Sequence, residues 1–235
     1  MQLFYNNSLT KDSQTLTFDK VESRHIINSL RKKDGDTLYI TNGLGQLFTS
    51  EIISANDKKC LVKIIGCEDK VKPWHYYLHI AIAPTKLNER FEWFLEKATE
   101  IGIDEITPLI CDHSERKMIK KERLEKIIHT AGKQSLKFHF PKLNDPVKFK
   151  DFINTNIDGQ LLIAHCEDTD KKSLKSVLKT NQKTTILIGP EGDFSTKEIE
   201  QSLKHKYIPV SLGESRLRTE TAGIVACHSV AFLNE

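Results

Sequence analysis

From residue 76 onward the sequence alternates short apolar runs with stretches whose apolar residues recur every three to four positions. That alternation restricts the fold more than any other feature. Residues 76–83 read as an apolar strand, and Asn88 is placed to cap a helix over 88–101. Phe91, Phe94, Leu95, Ala98 and Ile101 fall on one face of that helix, and Gly102 can stop it. Residues 105–110 read as a strand and 121–134 as a basic helix. Residues 161–164, 185–188 and 208–212 are further strands, and a helix over 219–232 closes the chain. Strands separated by helices predict an α/β domain with a mostly parallel sheet and helices on both faces, since parallel neighbours need a crossover. Ligands of such sheets sit beyond the carboxyl ends of the strands.

The first 67 residues follow a different rule. Short extended runs at 15–18, 37–41, 46–53 and 60–65 surround a short helix over 22–30, which carries Ile26, Ile27 and Leu30. Asn42-Gly43-Leu44-Gly45 between two runs predicts a hairpin, because Asn and Gly tolerate positive φ. These elements predict a compact β domain. The polar stretch Glu68-Asp69-Lys70-Val71-Lys72-Pro73 is the best linker. The expected domains are therefore 1–70 and 74–235.

No apolar run approaches the roughly 18 to 20 residues that cross a bilayer. The N-terminus, Met1-Gln2-Leu3-Phe4-Tyr5-Asn6, lacks the layout of a signal peptide. A cytoplasmic protein without membrane attachment is expected. The five cysteines, Cys60, Cys67, Cys111, Cys166 and Cys227, are scattered and form no Cys-x-x-Cys pair, so reduced and mostly buried thiols are expected. His75 and His79 flank a strand rather than sharing a helix face, and no metal site is expected. Net charge is only +3, but residues 113–142 hold nine Lys and Arg against three Glu. Such an excess attracts polyanions, or simply forms the solvated face of a helix.

Two loops at strand ends carry the chemistry. In Ile186-Leu187-Ile188-Gly189-Pro190-Glu191-Gly192-Asp193-Phe194-Ser195, an apolar strand runs into a glycine turn. Ser195 and Glu198 there form a capping box for the next helix. The spacing is neither a Rossmann fingerprint nor a Walker loop. In Ser211-Leu212-Gly213-Glu214-Ser215-Arg216-Leu217-Arg218-Thr219-Glu220-Thr221-Ala222, a strand ends at Leu212 and Thr219 is placed to cap the last helix. Arg216, Arg218 and Glu220 crowd that helix start, where free N–H groups favour anions.

These residues carry a resemblance that covers nearly the whole chain. Leu-Ile-Gly-Pro-Glu-Gly-x-Phe-Ser, followed by Leu-Gly-x-x-x-Leu-Arg-Thr-Glu-Thr-Ala, resembles the small-subunit ribosomal RNA uridine-N3 methyltransferase family, methyltransferase E. His25 to Arg31 with Gly35-Asp36, the Lys97-Ala98-Thr99-Glu100-Ile101-Gly102 segment, Ser114-Glu115-Arg116 and Gln134-Ser135 match further family segments.

The resemblance implies a SPOUT-type, trefoil-knotted sheet behind a small PUA-like β-barrel that binds RNA. It implies S-adenosyl-L-methionine as cofactor, held by the loops within residues 185–222. The pocket would be lined by Leu187, Ile188, Gly189, Pro190, Glu191 and Gly192, by Leu212, Gly213, Leu217, Thr219, Thr221 and Ala222, and on its far side by Ala164 and His165. The substrate would be ribosomal RNA, within the small ribosomal subunit, and the enzyme a homodimer.

Arg218 and Glu220 are the candidate catalytic pair, the arginine as cation and the glutamate as proton acceptor or as orienter of the arginine. Arg24, His25 and Arg31, together with Arg116, Lys117 and Arg123, are the candidate RNA contacts. Three residues depart from the family pattern. Asp193 replaces a third glycine, Gln2 an N-terminal arginine, and Lys137 an arginine after the Gln-Ser pair. Two rival readings are a catalytically silent RNA-binding assembly factor and a ribose 2'-O-methyltransferase of the same superfamily.

Overall fold

Strand pairing in the first part of the chain follows the alternation of its apolar residues. The computed structural model describes residues 1–235. Strands β1 (Leu3–Tyr5), β2 (Thr15–Thr17), β3 (Thr37–Thr41), β4 (Gln46–Ser54) and β5 (Leu61–Asp69) form one sheet in the order β1-β3-β4-β5-β2. Only β1 and β3 run parallel. Register shifts at Thr49/Ser50 and Ile52/Ser54 bend β4 against β5, as bulges do. Leu38 and Ile40 of β3, Phe48 and Ile52 of β4 and Val62 of β5 meet Phe4, Phe18 and Ile26 in one core.

The predicted hairpin is present, with Gly43 at φ 75° and Gly45 at φ 91°. Asn42 fastens it, accepting from Leu44 N at 2.9 Å and donating to Gln46 Oε1 at 2.7 Å. The helix expected over 22–30 is instead two pieces. Helix α1 (Lys20–Arg24) starts earlier, because the Asp19 carboxylate accepts from Val21 N and Glu22 N. A π-helical turn, His25–Ser29, completes it.

One compact unit comprises Met1–Lys72 and Gly132–Phe140. The later segment docks by backbone: Phe140 N donates to Gly43 O at 2.9 Å, and Gly45 N to Phe138 O at 2.8 Å. The Phe140 ring lies 5.0 Å from that of Tyr5. A single boundary in the sequence cannot include such a segment.

The other unit comprises Pro73–Ala131 and Pro141–Glu235. Its elements are β6 (Tyr77–Ile82), α2 (Asn88–Ile101), β7 (Glu105–Ile110), α3 (Lys121–Gln134), β8 (Lys142–Leu143), β9 (Val147–Lys148), α4 (Phe149–Ile153), β10 (Gln160–Ala164), β11 (Lys172–Ser173), α5 (Leu174–Val177), β12 (Lys183–Ile188), α6 (Thr196–Lys204), β13 (Ile208–Ser211) and α7 (Thr219–Leu233). Helix α3 belongs to this unit through Ala131.

The sheet is parallel throughout, in the order β11-β13-β10-β12-β6-β7-β8, with β9 also on β7. The later residues of its central strands, Ile80–Ile82, Leu162–Ile163 and Ile186–Ile188, are buried and apolar, as a sheet covered on both faces requires. One core joins Ala81, Leu109, Ile163 and Leu187 to Phe149, Phe152, Phe194 and Ile199. On the other face α7 packs against α2 and β6. A Cβ on Gly223 of α7 would lie 2.7 Å from the Phe94 ring and 2.8 Å from Ile82 Cδ1.

Helix α2 spans the predicted residues, and Gly102 ends it at φ 126°. Its N-cap is Leu87 without a side-chain bond, so Asn88 is the first helical residue and not the cap. All five cysteines are free thiols; Cys60, Cys111 and Cys227 are buried and Cys67 and Cys166 exposed. His79 lies within β6, its ring nitrogen Nε2 2.7 Å from Thr107 Oγ1. No helix is long and apolar enough to cross a membrane.

Candidate active site

Strand β10 lies between β13 and β12, all three parallel, so Ala164, Ile188 and Ser211 end at the same edge of the sheet. The three following loops enclose two adjoining cavities. The larger, of about 440 Å³, is lined by Ala164, His165, Cys166 and Lys171, by Val210 through Leu217, and by Ala222. The smaller, of about 230 Å³, is lined by Ala164, Cys166, Ile188, Gly189, Pro190, Glu191, Asp193, Arg216, Leu217, Arg218, Thr219 and Ala222. Ala164, Cys166, Arg216, Leu217 and Ala222 belong to both.

Local chemistry explains each wall. After β12, Asp193 N donates to Pro190 O at 2.9 Å and closes a turn with Asp193 at φ 64°. The Asp193 carboxylate accepts from Cys166 N at 2.6 Å, which ties the β12 loop to the β10 loop. The predicted capping box is formed: Ser195 Oγ accepts from Glu198 N, and Glu198 accepts from Ser195 N at 2.9 Å. Burial raises the Glu198 carboxyl above its ordinary pKa, although the backbone N–H groups of Ser195 and Asp112 oppose that rise. Through Asp112 N, 2.9 Å from Glu198 Oε1, the loop after β7 is fastened to the same wall. After β13, Gly213 adopts φ 131°, and Ser211 Oγ both donates to Gly213 O at 2.9 Å and accepts from Gly213 N at 3.2 Å.

Thr219 differs from its predicted role. Arg218 is the N-cap of α7, without a side-chain cap bond, and Thr219 is the first helical residue. The Thr219 hydroxyl donates instead to Gly189 O at 3.0 Å, joining the two glycine loops. A carbonyl across the cavity wall has taken the hydroxyl that local spacing assigned to the cap.

His165 is the least satisfied polar group of the site. It is 6% exposed, and neither ring nitrogen has a hydrogen-bond partner in the protein. Burial, helped by the charge of Lys171, lowers its pKa below the ordinary histidine value, so the ring is held neutral. A neutral imidazole presents one donor and one acceptor to the cavity it lines.

Of the fourteen residues predicted for a cofactor pocket, Ala164, His165, Ile188, Gly189, Pro190, Glu191, Leu212, Gly213, Leu217, Thr219 and Ala222 line one or both cavities. Leu187, Gly192 and Thr221 line neither. Leu187 faces the core, and a Cβ on Gly192 would meet His113 at 3.2 Å. The walls also include Asp193, the departure from the family pattern, and Cys166, Lys171, Ser211 and Arg216, which were not among the predicted pocket residues. Arg218 is exposed at the smaller cavity. Glu220 is 6% exposed and lines neither cavity. One of its carboxylate oxygens lies 3.8 Å from Arg90 Nε on α2, and the other has no hydrogen-bond partner. Arg90 has no sequence signal, since its partner is remote in the chain.

The candidate RNA contacts divide in the same way. Arg24, His25 and Arg31 are exposed in the first unit, and Lys117 in the second. Arg116 is committed within its unit: Nε donates to Thr85 O at 3.1 Å and Nη2 to Lys86 O at 2.6 Å. Arg123 pairs with Glu92 at 2.6 Å.

Comparison with known proteins matches these features to a family. The RNA methyltransferase domain model matches residues 72–231, and the RNA methyltransferase PUA domain model matches residues 18–65. The ribosomal RNA small subunit methyltransferase E of Buchnera aphidicola (Acyrthosiphon pisum) is 33% identical over 87% of this chain and 83% of its own length. The structure of a "probable rRNA-methyltransferase" from Porphyromonas gingivalis superposes with a TM-score of 0.92 at 43% identity, covering 100% of this chain and 98% of that one. The "putative methyltransferase Lpg2936" of Legionella pneumophila, solved in complex with the cofactor SAM, gives a TM-score of 0.88 at 28% identity over 99% and 97% of the two chains. The fold is that of the SPOUT methyltransferases, an α/β domain with a PUA-like domain before it. The chain belongs to the ribosomal RNA small subunit methyltransferase E family.

Proposed function

We propose that the chain transfers a methyl group from S-adenosyl-L-methionine to ring nitrogen 3 of a uridine in small-subunit ribosomal RNA. The observation that carries this reading is the joined pair of cavities, one walled by loop backbone and His165, the other bordered by Arg218. His165 tests the fit of the cofactor. A buried neutral ring with an unmatched donor and acceptor suits a ligand rich in both, as an adenosyl amino acid is. Ala164, His165, Ile188, Gly189, Leu212, Gly213, Leu217 and Ala222 would hold it. When bound, the cofactor supplies an electrophilic methyl group on a sulfonium.

The protein must then make a poor nucleophile reactive. Uridine N3 carries a proton at neutral pH, and its loss spreads negative charge over the flanking carbonyl oxygens. Arg218, exposed at the cavity mouth, stabilises that anion and favours loss of the proton to solvent. Glu220 is buried against Arg90, which suits it to fixing the start of α7, and with it Arg218, rather than to accepting the proton.

The same reading assigns RNA binding to the first unit through Arg24, His25 and Arg31, aided by Lys117. Arg116 and Arg123 contribute charge while bonded internally. It also takes the trefoil knot, the homodimer, a cytoplasmic location and the small ribosomal subunit as substrate from the family resemblance. Exposed Trp93 on α2 and Phe232 on α7 are suitable for a subunit contact.

Nucleoside mass spectrometry of ribosomal RNA from a strain lacking the gene tests the reaction. Loss of 3-methyluridine alone is expected. Loss of a ribose-methylated nucleoside would assign the chain to 2'-O chemistry instead. In single-turnover assays on small subunits, Arg218→Ala should bind S-adenosylmethionine but transfer roughly 100-fold more slowly, the scale for removing such a group.

A further inference from the structure

Asp193 occupies a backbone conformation, φ 64°, that favours glycine, and its side chain lines the smaller cavity. A non-glycine residue there is strained unless its side chain makes a compensating contact. The contact is present: the carboxylate accepts from Cys166 N at 2.6 Å. Cys166 borders both cavities and follows His165, whose ring has no partner in the protein. The bond therefore joins the β12 loop to the segment that carries the His165–Cys166 wall. That segment has other restraints, Thr196 Oγ1 to Glu167 Oε1 at 2.6 Å, and Lys171 Nζ to His165 O at 3.1 Å and to Glu167 O. They act farther along the loop or on its carbonyls. Only the Asp193 bond connects the two walls at the cavity itself.

We propose that Asp193 is a positioning residue for the cofactor site, acting through its hydrogen bond to the Cys166 amide and holding His165 and Cys166 in place before the ligand arrives. This rests on the reading of the cavities as an S-adenosylmethionine site. A pre-set wall lowers the ordering cost of binding, so the effect belongs to affinity more than to turnover. The acceptor oxygen does the work, not the charge. Asn, which also tolerates positive φ, can keep the bond, whereas Gly fits the backbone but removes it.

The test compares Asp193→Gly and Asp193→Asn with the wild-type chain, by calorimetry with S-adenosylmethionine and by amide exchange at Cys166. In Asp193→Gly the dissociation constant should rise roughly fivefold or more, the scale of one ordinary intramolecular hydrogen bond. Exchange at Cys166 should accelerate, and turnover at saturating cofactor should change much less than affinity. Asp193→Asn should restore both affinity and amide protection. Wild-type affinity in Asp193→Gly overturns the proposal. So does an Asp193→Asn variant as weak as Asp193→Gly, which would make charge the operative property. Failure of the wild-type chain to bind S-adenosylmethionine would instead remove the functional reading on which the proposal stands.

Discussion

Replacing Gly213 by alanine separates backbone strain from steric exclusion. A Cβ at this position would meet nothing within 4 Å, so no clash accompanies the substitution. The whole cost comes from φ 131°, a region that L side chains rarely enter. Holding a non-glycine residue there costs about 1–3 kcal/mol. The loop has two ways to bear it. If it keeps its conformation, the strain appears as lost folding stability and the cavity is unchanged. If it relaxes, stability is preserved, but the cavity-lining backbone from Ser211 to Leu217 moves and the ligand must restore it. Gly213 is exposed, which makes relaxation available, while its two bonds to Ser211 Oγ oppose it. The sum is what the structure determines. Urea unfolding and calorimetry with S-adenosylmethionine, run on the same preparation, should together show about 1–3 kcal/mol. Borne wholly in binding, that is a loss of roughly 5- to 150-fold in affinity. A Gly213→Ala variant with wild-type stability and wild-type affinity would refute the reasoning.

Three further outcomes are expected. Gly223→Ala gains about 1 kcal/mol of helix propensity but forces a methyl into the buried Phe94 ring and Ile82. Overpacking costs about 1–3 kcal/mol, so urea denaturation should show no gain in stability and a net loss of up to about 2 kcal/mol. Arg24→Ala and Arg31→Ala should each reduce the slope of log affinity for RNA against log salt by about one, if each arginine neutralises one phosphate; an unchanged slope removes that contact. Burial lowers the pKa of His79 from 6.5, although Glu105 opposes the shift. Below that value the unfolded chain takes up a proton that the folded one refuses, so stability falls as pH drops through 6.5 toward the depressed value. His79→Gln should flatten that dependence in urea melts between about pH 7.5 and about pH 5.5, while His165, shifted in the same direction, keeps a slope of the same sign.

What the sequence determined by itself was whatever depends on near neighbours. Apolar periodicity placed α2, α3 and α7 and the strands β7, β10, β12 and β13 within a residue or two of their observed ends. Ser195 and Glu198 announced their capping box because both partners lie within one helical turn. The two glycine loops declared themselves as strand-to-helix turns, and the parallel sheet then brought them to one edge. Tertiary structure decided every matter in which a side chain had to choose among partners far apart in the chain. Thr219 left the cap position for the carbonyl of Gly189, Arg116 turned to the carbonyls of Thr85 and Lys86, and Glu220 found Arg90. Gly132–Phe140 joined the first unit because Gly43 O and Gly45 N were there to be paired. A hydroxyl or a guanidinium satisfies its hydrogen bonds with whichever group the fold brings within about 3 Å, and a carboxylate pairs with the cation nearest to it. Periodicity reports which face of an element is buried, but not what waits on the other side.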